Sequence, residues 1–367
     1  MIMIARVAIL VLVGVPVVVG LLLVAGLLAW AGPNPLRSFI QRGTNAGAPV
    51  SPRSAISCGA TLNAGMNLGF HIQTFSSGLR AAVWYPTTSA EARFLYPGSL
   101  ASSVALDAPV ATCSQYPLIV FSHGFAGCGI QSVLFTEELA RAGYIVVGPD
   151  HKDSICKSDG PSQGSALRRA KQPFFRPGKW TDATYTDRAA DIRLVLDEIL
   201  RDPQFGPRID ASKIGAVGHS LGGYTIFGLA GGWPSWRDER IKVALLMSPY
   251  LIPYVRKGMV PSVHVPLMYQ GGTGDFTLTP ILKRSGGIYD SSNPPKYFVE
   301  FAGVHHLDFS NFTCGSSRSV SDCLANSSSA RLMNTYGIGF LNRYLKGEPE
   351  PLLDRSNSEV IEYRYAR

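Results

Sequence analysis

A short apolar run, Ile214–Val217, leads directly into Gly218-His219-Ser220-Leu221-Gly222-Gly223, and a helix-compatible run, Tyr224–Ala230, follows. This order predicts a strand, a tight turn and a helix, with a serine at the apex. A nucleophile held there needs strained backbone. Neighbours without side chains let the turn close and a reactant approach. Short glycine–serine patterns also arise by chance. This one gains weight from the strand before it, the helix after it and the partners found elsewhere.

The same alternation recurs along the chain. Ala81–Tyr85, Leu118–Phe121, Tyr144–Gly148, Val243–Met247, Val265–Tyr269 and Tyr297–Phe301 read as strands. Val133–Ala142, Thr186–Arg201 and Ala330–Leu345 read as helices. The second of these is amphipathic through Ala189, Ile192, Leu194, Val195, Leu196, Ile199 and Leu200. Strands alternating with helices predict an α/β fold, with a mostly parallel sheet covered on both faces. In such a sheet ligands bind beyond the carboxyl ends of the strands. The segments to inspect are therefore Ser122-His123-Gly124-Phe125, the elbow serine, Gly271-Gly272-Thr273-Gly274-Asp275, and Ala302-Gly303-Val304-His305-His306.

A serine hydroxyl needs a base to take its proton, and histidine titrates in the useful range. Of seven histidines, His123 and His219 lie where they shape loops. His71 and His264 read as ordinary strand or loop residues, and His151, at a strand end, competes weakly. His305 and His306 remain, on a glycine-bearing loop at the right place. The acid that orients the imidazole is expected to be Asp275, which follows a glycine-rich turn. Its plainer role is to cap the turn before Thr277-Leu278-Thr279-Pro280. Asp308 and Asp290 fit less well. Two backbone N–H groups must face a developing oxyanion, and Leu221 and Phe125 are placed to supply them.

The N-terminal run Val7–Ala31 is almost wholly apolar, and a helix over it would span about 37 Å, enough for a bilayer core. Residues 1–32 are expected to be an uncleaved membrane anchor, with a cleaved signal segment as the second choice. Residues 33–56, rich in Pro, Gly, Ser and Ala, form the linker and 57–367 the catalytic domain. Six cysteines behind an export segment predict disulfides outside the cytoplasm. Proximity pairs Cys314 with Cys323, Cys128 with Cys156, and Cys58 with Cys113. None falls in a C-x-x-C pair, which argues against zinc. The formal net charge of +8 comes from scattered residues. With no zinc-finger spacing and no aromatic–basic array, no nucleic-acid partner is expected.

The stretches Pro117–Phe125 and Gly148-Pro149-Asp150-His151-Lys152-Asp153 resemble the platelet-activating-factor acetylhydrolase branch of the α/β-hydrolases. They also resemble bacterial lipases and cutinase-type polyester hydrolases. The resemblance covers most of residues 80–345. It implies carboxylic ester hydrolysis through an acyl-enzyme, with no cofactor. In those relatives the histidine stands three residues after a loop glycine, with an aromatic three further on. Gly303, His306 and Phe309 match, which favours His306 over His305. The chain departs from the acetylhydrolase branch in one respect. There the acid follows the strand after the elbow, whereas here that strand ends at Ser248 without a carboxylate. Asp275 matches the later acid position of lipases.

The expected substrate is a small-molecule ester, and the long segment 151–181 is the candidate lid over lipid or amphiphilic esters. Phe125, Phe174, Phe175, Trp180, Tyr250 and Phe276 are available to line an acyl pocket or simply to pack. The competing readings are a non-catalytic anchored binding domain and a dinucleotide enzyme. The second is weak, because Gly215, Gly218 and Gly222 lack the G-x-G-x-x-G spacing.

Overall fold

The computed structural model describes residues 66–98, 100–156, 174–355 and 358–367. The anchor, the linker, Cys58 and most of the expected lid lie outside them. Among the described residues no helix is long and apolar enough to cross a membrane.

The strands are β1 (Asn67–Thr74), β2 (Arg80–Thr87), β3 (Ala92–Leu95), β4 (Ala101–Leu106), β5 (Tyr116–Ser122), β6 (Ile145–Pro149), β7 (Ile209–His219), β8 (Ile241–Met247), β9 (Leu267–Gly272), β10 (Lys296–Phe301) and β11 (Glu362–Ala366). They form one sheet in the order β11-β10-β9-β8-β7-β5-β6-β2-β1-β4-β3. From β6 to β10 every neighbouring pair is parallel. Antiparallel pairs flank this block at β6–β2 and β10–β11. The helices are α1 (Val133–Arg141), α2 (Thr186–Ile199), α3 (Leu221–Phe227), α4 (Ile252–Arg256), α5 (Thr279–Lys283), α6 (Ile288–Ser291), α7 (Val320–Asn326) and α8 (Ser328–Leu341).

The parallel strands read as unbroken apolar runs because both faces are covered. On β5, Leu118 and Val120 join the core under α2 and α3, while Ile119 and Phe121 join the core under α1 and α8. β8 divides its residues likewise, Ala244 and Leu246 to one side, Val243 and Leu245 to the other. Each fully buried leucine of this kind contributes about 1.5–3 kcal/mol. The expected strand Val265–Tyr269 moves forward to Leu267–Gly272, because Pro266 has no N–H to give the ladder. α3 starts earlier than the apolar run suggests, at Leu221, because the elbow feeds straight into it.

Two of the expected disulfides are present, Cys128–Cys156 and Cys314–Cys323. Cys113 is also disulfide-bonded; its expected partner Cys58 lies outside the described residues.

Candidate active site

β7 ends at His219, and the chain turns at Ser220 with φ +54° and ψ −115°. For a residue with a β-carbon such backbone costs about 1–3 kcal/mol. The turn is held in place by hydrogen bonds. The Ser220 N–H donates to Met247 C=O at 3.0 Å, and Ser220 C=O accepts from the Tyr250 N–H at 2.9 Å. The glycines are required by contact. A β-carbon at Gly222 would stand 1.8 Å from the Ser122 carbonyl oxygen, and one at Gly218 would stand 2.4 Å from that of Gly222.

The loops after β9 and β10 bring Asp275 and His306 to this apex. Ser220 Oγ lies 2.9 Å from His306 Nε2, and His306 Nδ1 lies 3.0 Å from Asp275 Oδ2. With the proton on Nδ1, that nitrogen donates to Asp275, and Nε2 is free to accept from the serine. Asp275 is buried and uses its two oxygens differently. Oδ1 accepts from Thr277 N–H at 3.3 Å, Thr277 Oγ1–H at 2.9 Å and Leu278 N–H at 3.1 Å. Oδ2 faces His306 and Ser248. The turn cap and the histidine partner are thus one residue. Burial alone would raise the Asp275 carboxyl. The hydrogen bond and charge of His306, with the Ser248 hydroxyl, outweigh it and hold the group below the ordinary carboxylate range.

The two expected oxyanion donors lie on the segments next to the elbow, Leu221 directly after Ser220 and Phe125 directly after Gly124. Leu221 is the first residue of α3, where backbone N–H groups lack helical partners. The Phe125 loop follows β5, and a β-carbon at Gly124 would stand 3.4 Å from that of Ser220. This loop is tied to the histidine loop by a relay of side chains. The Gly124 N–H donates to Gln131 Oε1 at 2.9 Å, and the Gln131 amide N–H donates to His219 Nδ1 at 2.7 Å. His219 Nε2–H then donates to His306 C=O at 2.8 Å. Burial, followed by the nearby His306, pushes His219 down to about 3, so it stays neutral and keeps this tautomer.

The other candidates lie elsewhere. His305 is 67% exposed in its side chain and bonds Asp308 at 3.2 Å. Asp308 accepts from the His305 N–H, and Asp290 accepts from the Gly286 N–H. His71 pairs with Asp107 at 2.7 Å, and His264 contacts Asn293. His151 forms a second serine–histidine–aspartate line, with Ser122 Oγ at 3.0 Å and Asp191 Oδ2 at 2.9 Å. That serine is wholly buried, so no reactant reaches it. Phe125, Phe174, Trp180 and Tyr250 form one aromatic cluster, with ring centroids 5.1–5.4 Å apart. Phe175 and Phe276 are exposed. Among the described residues no group of His, Cys, Asp and Glu could hold a metal ion.

Several working residues have no motif to announce them. Ser248, buried with φ +39°, bonds both Asp275 and His306 Nδ1, the latter at 2.8 Å. It stands at the strand end where the acetylhydrolase branch keeps its acid. Gln131 is a loop residue made visible only by its partners. Arg188 does leave a signal: it is a charge four residues before Ile192 and seven before Val195, on the apolar stripe of α2.

Burial of these imidazoles has a measurable consequence. His123 and His219 are held neutral, well below their free value, first by desolvation. Their folded pKa values are depressed, so unfolding below about pH 6.5 takes up protons there, and stability falls as pH falls. Glu137, pushed up to about 7 by burial, opposes them with one proton. The His151–Asp191 pair nearly cancels: burial lowers His151 and raises Asp191 to about 7, so the folded and unfolded states each take up about one proton on it across this window. We expect the melting temperature to fall on acidification from pH 7.5 to pH 5. A flat or rising melting curve would contradict this proton count.

Residues 73–160 match the family described as platelet-activating factor acetylhydrolase, isoform II. The chain is 24% identical over 282 residues to the platelet-activating factor acetylhydrolase of Cavia porcellus, covering 69% of this chain and 63% of that one. It is 24% identical over 198 residues to cutinase 2 of Thermobifida cellulosilytica, covering 53% of this chain and 62% of that one. The chain therefore spans less than two thirds of the length of these curated relatives. The fold matches a ferulic acid esterase from Streptomyces cinnamoneus, with a TM-score of 0.60 and 20% identity, over 82% of this chain and 97% of that one. The expected resemblance to α/β-hydrolases of the acetylhydrolase and cutinase kinds holds.

Proposed function

We propose that this α/β-hydrolase is a serine-dependent carboxylic ester hydrolase that works through an acyl-enzyme. The observation that carries the reading is the unbroken line from Ser220 Oγ through His306 to Asp275, set at a strained elbow. Relatives named as acetylhydrolases and cutinases support it.

His306 Nε2 takes the Ser220 proton as Oγ attacks the ester carbonyl. The carbonyl electrons move to oxygen, and the Phe125 and Leu221 N–H groups receive that oxyanion. The C–O bond to the alcohol breaks, and His306 returns its proton to the departing oxygen. Water, deprotonated by His306, then attacks the acyl-enzyme and frees the acid and Ser220. Asp275 keeps the imidazole in its working tautomer and stabilises its cation. Ser248 steadies both groups.

The aromatic cluster beside Phe125 and the exposed Phe276 and Phe175 favour esters with an apolar acyl or alcohol part, lipid or amphiphilic esters among them. The disulfides favour work outside the cytoplasm.

The full chain should react with a fluorophosphonate at Ser220 alone and should hydrolyse p-nitrophenyl acetate, butyrate, octanoate or palmitate. Absence of labelling, or cleavage confined to peptides, would reject the proposal. A binding domain that only keeps the elbow gives no label.

A further inference from the structure

A dense set of buried charges lies behind the Phe125 loop. Arg188, on α2, is wholly buried. Its Nε donates to Asp153 Oδ1 at 2.9 Å and its Nη2 to Asp153 Oδ2 at 3.2 Å. A buried guanidinium demands such a partner. Its remaining donors do not close on the helix. They reach the loop after β5. Nη1 donates to His123 C=O at 2.8 Å, and Nη2 donates to Gly124 C=O at 3.2 Å.

The second of these carbonyls belongs to the peptide group whose other end is the Phe125 N–H. That group is planar and trans, so the carbonyl and the N–H point in opposite directions on one rigid plate. Fixing one end fixes the other. Gly124 C=O is held three times over. His123 Nδ1 lies at 2.6 Å, and the Gly127 N–H donates at 3.1 Å. His123 Nε2 accepts from the His151 N–H at 3.1 Å, which leaves its proton on Nδ1, facing the carbonyl. Only Arg188 brings a full charge to this carbonyl. A cation bonded to an amide oxygen strengthens the hydrogen-bonding power of the same amide's N–H. The Cys128–Cys156 bridge ties the two sides together, three residues beyond Phe125 and three beyond Asp153.

We propose that Arg188, anchored by Asp153, is a positioning residue for oxyanion stabilisation: it locks and polarises the Gly124–Phe125 peptide so that the Phe125 N–H is already aimed when the oxyanion forms. The inference rests on the ester-hydrolase reading and deepens it.

Three full-length variants test it with p-nitrophenyl butyrate: Ser220→Ala, Arg188→Lys, and the double variant Arg188→Met/Asp153→Asn, which leaves no lone buried charge. Loss of a single oxyanion donor costs about 10²–10³-fold in kcat. We expect the double variant to lose about 10- to 100-fold in kcat, within that ceiling, with KM within about twofold. Affinity for a trifluoromethyl ketone, which presents an oxyanion to the site, should fall with kcat. The acid limb of the pH profile, set by the base, should not move. Arg188→Lys keeps the charge but loses the fork, and should recover part of the loss. It also serves as the folded variant should the double one not fold. A folded variant with wild-type kcat overturns the proposal, and so does a loss that falls on KM or shifts the acid limb. A wild type that neither labels with fluorophosphonate nor turns over ester removes the ester-hydrolase reading itself, and this inference with it.

Discussion

Ser220→Ala is expected to lower kcat by about 10⁴-fold or more while leaving the melting temperature nearly unchanged. The hydroxyl is the only group at the apex able to form the acyl bond. Once it is gone, His306 has no alcohol to deprotonate. A residual rate survives only through water held near the oxyanion donors. Alanine keeps the β-carbon, so the φ of +54° stays as strained as before. The hydrogen bonds that fix the turn are made by backbone atoms, Ser220 N–H to Met247 and Ser220 C=O from Tyr250, and both survive. Steady-state turnover and circular dichroism on the same sample separate chemistry from folding. A variant keeping more than about a tenth of wild-type kcat would remove Ser220 from the mechanism.

Asp275→Asn should be nearly as damaging, with kcat down by about 10⁴-fold. Asn rather than Ala is the informative change, because Oδ1 also holds the turn through Thr277 and Leu278. Those three donors select the amide oxygen for that side. The amide NH2 is then left facing His306 Nδ1 and Ser248. It donates to Nδ1 and drives the imidazole proton to Nε2, where it meets the Ser220 hydroxyl as a donor instead of an acceptor. The fold is retained but the base has the wrong tautomer. His305→Ala is the matching control and should leave turnover close to wild type, since His305 contacts Asp308 at the surface. Turnover of the Asn variant within tenfold of wild type would show that another group orients His306.

The central strands were legible because Leu118–Phe121, Ile214–Val217 and Val243–Met247 are apolar on both faces. β1, with Asn67, His71 and Gln73 among its residues, carries no such run; its strand state comes from pairing along its length with β2. β11 forms by pairing with β10 and is only partly buried, so Glu362–Ala366 gives a weak local signal. Ser220, Asp275 and His306, the proposed nucleophile, acid and base, are each readable as a residue type at a strand end. Ser248, Gln131 and Arg188 are not, because their roles consist of contacts with groups far away in the chain. Asn311 is engaged at long range in the same way: its side chain donates to Ile130 C=O and accepts from the Val133 N–H.

Ser132 Oγ–H donates to Phe309 C=O across 177 residues, and Asn311 is tied to 130–133 over a similar span. The loop bearing the base is thus docked onto a segment made early, when ribosomal synthesis has yet to deliver β8, β9 or β10. A nascent chain can hold its elbow long before it can hold its base. On the proposed mechanism the ability to cleave a bond therefore waits for the loop after β10, with β11 still to be made, and chains ending before His306 should be chemically silent.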